Sequence, residues 1–291
     1  MDQNKINHYG DELYTALKTL TAVAPLTDRE SDITIEDAYA IQLRMIQRQL
    51  DDGHTVVGKK IGVTSKVVMD MLKVNQPDFG QLLSNMVYNE GEPIVASSMI
   101  APKAEAEVAF ILKNDLMGPG VTAADVLRAT DCVVPCFEIV DSRIKDWKIK
   151  IQDTVADNAS CGVLVLGGVR KSPRQLDLAL AGMVLAKNGD IISTSTGAAV
   201  QGSPVNAIAW LANTLGRLGI GLKAGEIILS GSQSPLVPVV AGDSLICNVG
   251  GLGGTSVRFI GQGNRTHGTH PRPGHHRQAR RAPRKRRAAG F

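Results

Sequence analysis

The chain predicts an α+β fold, a small N-terminal helical region ahead of a β-rich body, on three observations. Apolar residues recur at helical spacing in residues 8–22 and again from Thr34 to about Leu50. Beyond Gly53 the pattern changes to many short strand-like runs with few helical segments between them. No Gly-x-Gly-x-x-Gly follows a strand, which argues against a doubly wound dinucleotide-binding sheet.

Leu13, Leu17 and Leu20 mark the buried stripe of the first helix. Thr34, with Asp37 three residues on, forms a capping-box pattern that opens the second helix, and Asp51-Asp52-Gly53 closes it. Thr55 to Val63 is strand-like and interrupted by glycines, which often mark close approach of backbone or ligand. Alternation turns Lys59 and Lys60 to opposite faces, so either one points inward or both are solvent lysines at a strand end. Thr64-Ser65 can cap a short helix through about Leu72, and Asn75 to Gly80 has the composition of a turn. Thr122 to about Thr130 is helical, and Cys132 to Val140 is an apolar strand. The small polar stretch Thr154 to Cys161 suits either a pocket-lining loop or a capped connection. Asn188-Gly189-Asp190 between two strand patterns signals a hairpin. Ser203-Pro204 begins a helix to Leu218, with Gly219 just past its end. Ile227–Leu229, Ser244–Val249 and Thr255–Ile260 are three further strands, and Ser230 to Pro235 is a loop after the first of them.

Composition narrows the function classes. The net charge of +4 misleads, because nine Lys or Arg residues and no acid lie beyond Gly263; without those nine the body carries −5. A mildly acidic body offers no nucleic-acid surface. The tail itself, rich in Arg, Pro, Gly and His, is expected to be disordered. His8 and His54 are the only histidines outside it and no Gly-x-Ser-x-Gly occurs, which argues against a Ser-His-Asp triad. Four cysteines without zinc spacing, no transmembrane run and no apolar leader point to a cytoplasmic protein with buried free thiols.

The chemistry is concentrated in Ala104 to Leu112. Glu105 and Glu107, one residue apart in a strand, share a face. Two like charges this close repel, so either a proton or a cation sits with them, or both lie on a solvated edge. Glu138 belongs to a second apolar strand. If the two strands are neighbours, three carboxylates converge on one hard divalent ion.

Five separated motifs then agree with a known family. Gly58-Lys59-Lys60-Ile61-Gly62-Val63-Thr64-Ser65, Gln76-Pro77-Asp78-Phe79-Gly80, Pro102 to Glu107, Glu138 to Arg143 and Val155 to Ser160 together resemble the 2-oxopent-4-enoate (2-hydroxypenta-2,4-dienoate) hydratases of the fumarylacetoacetate hydrolase superfamily. The likeness runs in order from about residue 8 to 260. It implies a mixed β-roll-like domain carrying the helical region, a Mg²⁺ or Mn²⁺ ion, a homo-oligomer, and as partner the aldolase that follows in aromatic meta-cleavage. The chain is expected to divide into 1–75 (helical region), 76–261 (catalytic β-rich domain) and 262–291 (disordered basic tail), the last without a counterpart in the family. By the same resemblance Glu105, Glu107 and Glu138 hold the metal, Lys60 and Asp78 transfer protons, and Ser160 and Ser232 hold the substrate. The sister 4-oxalocrotonate decarboxylases share the lysine, the three carboxylates and the Asp-Asn-Ala-Ser motif but lack the acid at Asp78, so that residue favours the hydratase. A non-catalytic protein binding nucleic acid through its tail leaves the carboxylates unexplained.

Overall fold

The computed structural model describes residues 1–263. Most of the expected tail, from residue 264 on, lies outside the described residues. Asp2 caps α1 (Gln3–Thr19) by accepting the Lys5 N–H at 2.9 Å, so this helix begins before its apolar stripe does. A single turn, α2 (Leu26–Arg29), follows Pro25. The Thr34–Asp37 capping box opens α3 (Ile35–Asp51), each residue's side chain accepting from the other's backbone N–H.

β1 (Val56–Gly62) leads to α4 (Lys66–Leu72), capped by Ser65, and then to β2 (Asp78–Leu83). The turn expected over Asn75–Gly80 therefore stops short of Asp78. Asp78, Phe79 and Gly80 pair with Gly62, Ile61 and Lys60, a strand partner that no local turn signal reveals. Next come β3 (Val87–Asn89), β4 (Ile94–Val95), β5 (Lys103–Leu112), α5 (Ala123–Ala129) and β6 (Thr130–Val140). α6 (Ile151–Ala156) and a 3₁₀ turn (Asn158–Ser160) fill the stretch left open between loop and capped connection, ahead of β7 (Cys161–Leu166). The expected hairpin is β8 (Gly182–Lys187) and β9 (Asp190–Thr196), and α7 (Pro204–Gly216) starts at Pro204 as expected. β10 (Ile227–Leu229), β11 (Val237–Pro238), β12 (Ser244–Val249) and β13 (Gly253–Ile260) complete the described chain.

The strands form two mixed sheets. The larger runs β2-β1-β10-β5-β6-β7-β3 with β11 also on β5, and the smaller runs β4-β13-β12-β8-β9. Phe110, Phe137, Leu185, Leu245, Val257 and Phe259 fill the space between them, each full burial stabilising by about 1.5–3 kcal/mol. The large sheet curls. Leu82 and Leu83 of β2 share an apolar cluster with Leu164 of β7, although four strands separate β2 from β7 in the sheet order. β1, although within the first 75 residues, is an interior strand of this sheet and brings Lys60 with it.

The helical region grips the part of the chain between β6 and β7. Leu13, Ile41 and Met45 pack on Ile144, Val155 and Ala156. The buried Gln42 amide donates to the Phe79 and Val155 carbonyls at 3.1 and 2.8 Å, tying α3 to β2 and α6. Between them lies Arg143, 1% exposed. Its Nε donates to Asp157 Oδ1 at 2.5 Å, and its Nη1 donates to the Cys161 carbonyl at 2.8 Å. A buried pair whose remaining valences are bonded in this way fixes geometry, and losing one partner strands a charge. Arg143→Met is expected to lower stability by about 3–5 kcal/mol, read as a fall in the urea midpoint with an unchanged m-value.

Candidate active site

Strand register builds the site. In the antiparallel β5–β6 pair Glu105 faces Glu138 and Glu107 faces Cys136. On one face of a sheet, directly opposite side chains are neighbours. Following the ladder across β10 to β1, Ala109 pairs with Leu229 and Leu229 with Lys60. Lys60 thus shares the concave face with the three glutamates. Lys59 points to the other face, where it donates to Glu226 at 2.6 Å. Neither lysine is a solvent lysine; both are buried.

One carboxylate oxygen from each of Glu105, Glu107 and Glu138 lies within 4.8 Å of the others. Glu107 Oε2 accepts the Gly231 N–H at 2.9 Å. Glu107 Oε1 and both oxygens of Glu138 lack a hydrogen-bond partner. Lys60 Nζ stands 3.2 Å from Glu138 Oε1 as an ion pair, while its hydrogen bond goes to the Ala159 carbonyl at 2.8 Å. Burial, and then the charge of Glu138, push Glu105 up to about 7. Burial followed by its two acidic neighbours raises Glu107 well above the carboxylate range. Glu138 is raised by burial, against the pull of Lys60. Buried, unbonded and mutually repelling oxygens fit a hard divalent cation, which takes oxygen ligands and cancels the repulsion.

Asp78 shares a corner with Lys60. Its Oδ1 is buried without a hydrogen-bond partner, and a Cβ added to Gly62 would meet that oxygen at 2.3 Å and Lys60 Nζ at 3.3 Å. Glycine at 62 is therefore what lets the lysine and the carboxyl share one corner. Burial raises Asp78, and Lys60 opposes the shift. For Lys60 burial works against the charge, but Glu138 and Asp78 more than offset it and hold the ammonium.

The Asp157 to Ser160 segment closes the site under strain. Asn158, Ala159 and Ser160 have φ of 54°, 50° and 53°, three successive non-glycine residues in the left-handed region. Asp157 is held by Arg143, and the Asn158 amide exchanges hydrogen bonds with the Gln81 backbone at 2.7 and 2.9 Å, as a strand would. That anchorage turns the Ala159 carbonyl toward Lys60. Gly231, at φ 111°, is a second required glycine, since a Cβ would strike Thr64 at 2.4 Å.

A cavity of about 610 Å³ opens here, lined by Lys60, Asp78, Lys103, Glu105, Ser160 and Ser232 among others. Ser160 Oγ is 3.0 Å from Thr154 Oγ1. Ser232 Oγ donates to the Ser234 carbonyl at 2.7 Å within its own loop. All seven residues singled out in the sequence belong to this region. Glu107 and Glu138 lie behind Glu105. Thr154, from the stretch read as either pocket wall or capped connection, lines the cavity; given no role were the Gly231 N–H, the anchors Arg143, Asp157 and Asn158, and the wall residues Lys103 and Trp147. The anchors stood in the quoted motifs without a role, and the alternation that pairs Glu105 with Glu107 also places Lys103 on their face.

Residues 52–260 match the family model described as fumarylacetoacetate (FAA) hydrolase C-terminal. The chain belongs to the fumarylacetoacetate hydrolase family. Among its relatives, a 2-hydroxypent-2,4-dienoate hydratase from Pseudomonas putida is 63% identical over 76% of this chain and 100% of that one. A 2-hydroxyhexa-2,4-dienoate hydratase from Comamonas testosteroni is 56% identical over 89% of this chain and 98% of that one. The fold is similar to that of the 4-oxalocrotonate decarboxylase from Pseudomonas putida G7 complexed with magnesium and adipate, at a TM-score of 0.87 and 34% identity over 89% and 99% of the two chains. In this family member no helix among the described residues is long and apolar enough to cross a membrane.

The glutamate cluster has measurable consequences. A divalent cation at 100 times its Kd is expected to stabilise the protein by about 2.7 kcal/mol, and Glu107→Gln should abolish that thermal shift. The folded state keeps a proton on Glu105 that the unfolded state, at the ordinary value of 4.5, releases below about 7. Stability of the metal-free protein should therefore fall as pH rises through that window, and cation binding, which expels the proton, should strengthen over it. Melting curves and proton release at several pH values test both.

Proposed function

We propose that the chain is a metal-dependent hydratase that converts 2-hydroxypenta-2,4-dienoate (2-oxopent-4-enoate) to 4-hydroxy-2-oxopentanoate in aromatic meta-cleavage catabolism. The two hydratase relatives support this substrate class. The observation that carries the chemistry is the corner at Gly62, where Lys60 and Asp78 meet beside the half-buried Glu105 and the buried Glu107 and Glu138. Glu105, Glu107 and Glu138 hold a Mg²⁺ or Mn²⁺ ion. Such a cation supplies Lewis acidity toward the 2-oxygen and carboxylate of a 2-oxo acid.

The protein's own groups handle the protons. The 2-hydroxyl proton leaves and a proton arrives at C5, giving the 2-oxo-3-enoate; water then adds its oxygen at C4 and a proton at C3. Asp78, raised by burial and unbonded at Oδ1, suits the accepting and returning of protons. Lys60 remains charged, orders Asp78 and donates hydrogen bonds to developing negative charge. Ser160 and Ser232 line the cavity and bind substrate through their hydroxyls. The product is an aldol, which a retro-aldol cleavage enzyme would consume. We extend the proposal to a homo-oligomer, supported by Ile191 and Ile246, 69% and 46% exposed, in one row across β9, β8 and β12. The division into a helical region (1–75) and a catalytic body (76–261) belongs to the same proposal, with β1 serving the body.

The deciding experiment follows dienoate absorbance with purified protein, with and without EDTA, beside 4-oxalocrotonate. Metal-dependent loss of the dienoate with formation of 4-hydroxy-2-oxopentanoate is expected. Carbon dioxide from oxalocrotonate without dienoate turnover would move the assignment to the decarboxylase, and inertness toward both would remove the reaction. Asp78→Asn is expected to lower kcat by about 10²–10⁴-fold without losing the cation-induced thermal shift.

A further inference from the structure

Two lysines line the cavity, and their circumstances differ. Lys60 is committed to Ala159 and Glu138. Lys103 is half-buried on β5, two residues before Glu105 and on the same face, between Val140 of β6 and Pro238 of β11. Its ammonium rests 4.1 Å from the centre of the Trp147 ring. Among the described residues it makes no hydrogen bond or ion pair, and the acid that acts on it is Glu105, at a distance.

The indole beneath it is held on purpose-built backbone. Trp147 Nε1 donates to the Ala101 carbonyl at 3.0 Å. The Asp141 carboxylate in turn accepts the Ile100 and Ala101 N–H groups, at 3.0 and 2.7 Å. Asp146 and Trp147 both have left-handed φ, 59° and 55°, an uncommon state for a bulky residue that persists only where surroundings impose it. A cation–π platform fixes a lysine without neutralising it and leaves its N–H donors free for an anion. Two residues along a strand is about 7 Å, so a lysine side chain at 103 reaches ligand held at Glu105.

Resting on the hydratase reading above, we propose that Lys103, seated on Trp147, binds the carboxylate of the 2-oxo acid substrate. This division leaves Lys60 to the reacting end of the molecule. It also makes the requirement for an anionic substrate a property of the cavity wall as well as of the cation.

The test uses the full chain with Mg²⁺ and two readouts. The first is binding of 2-oxopentanoate, which lacks the diene and does not react, followed by intrinsic fluorescence; the second is KM against kcat for the dienoate. Trp147 and Trp210 are the only tryptophans, so the fluorescence response should vanish in Trp147→Phe. Lys103→Met is expected to weaken 2-oxopentanoate and raise KM by about 10- to 100-fold, with kcat changed by less than about threefold, the pattern of lost uniform binding. Lys103→Arg, which keeps the charge, should recover most of the affinity. Lys103→Gln replaces Lys103→Met if the latter does not melt cooperatively. Unchanged 2-oxopentanoate affinity and KM in the neutral variant overturn the inference, as does an effect confined to the distal carboxylate of 4-oxalocrotonate. Wild-type protein that binds 2-oxopentanoate through Lys103 yet leaves the dienoate untouched would sink the hydratase reading and keep this one.

Discussion

Glu105 and Glu138 face each other across two antiparallel strands, and Glu107 joins them from one step along β5. Bringing like charges together away from water is costly, and the raised proton affinity of all three carboxyls expresses that cost. The surroundings are arranged to carry it. The Gly231 N–H meets one oxygen, the Lys60 ammonium stands against another, and two further oxygen atoms have no donor. A site left this incomplete by its own protein suits an external cation better than a structural role.

Holding the cluster requires rigidity on both sides. The curl of the large sheet brings β2 round toward β7, so that Asp78 on one and the Glu138 partner strand on the other enclose a single space. The Asp157 to Ser160 turn bridges that gap. Its three left-handed residues are strained, and the strain is sustained by the Asp157–Arg143 pair and by the strand-like pairing of Asn158 with Gln81. The helical region stabilises the same segment from outside through Ile144, Val155 and Ala156. What looks like an appended helical domain is therefore a support for the corner where Lys60 and Asp78 meet.

The two adjacent lysines of β1 illustrate how one strand serves two environments. Lys59 closes a buried ion pair with Glu226 on one face, and Lys60 joins the acidic cluster on the other. A one-residue slip in register would put Gly58 or Ile61 where one of these lysines stands and leave its acid, Glu226 or Glu138, without that cation. Register here is enforced by electrostatics as well as by hydrophobic pattern.

Where the chemistry depends on residues close in sequence, it was legible before any fold was known. Alternation alone places Glu105 and Glu107 together, the Thr34–Asp37 box opens α3, and Asn188-Gly189 turns the β8–β9 hairpin. The resemblance carried by five motifs then brought Lys60, Asp78 and Glu138 into the same group. Residues defined by long-range partners were not legible. Asp78 belongs to a strand because Gly62 pairs with it, Lys59 is buried because Glu226 waits across the sheet, and Ala159 offers its carbonyl because Arg143 and Gln81 hold its neighbours. The sequence by itself determined which side chains carry charge and which way each strand turns them. Only the tertiary structure decided which of those charges meet, because strand order and sheet curvature are set by contacts between segments far apart in the chain, as where Gly58 of β1 pairs with Ile227 of β10.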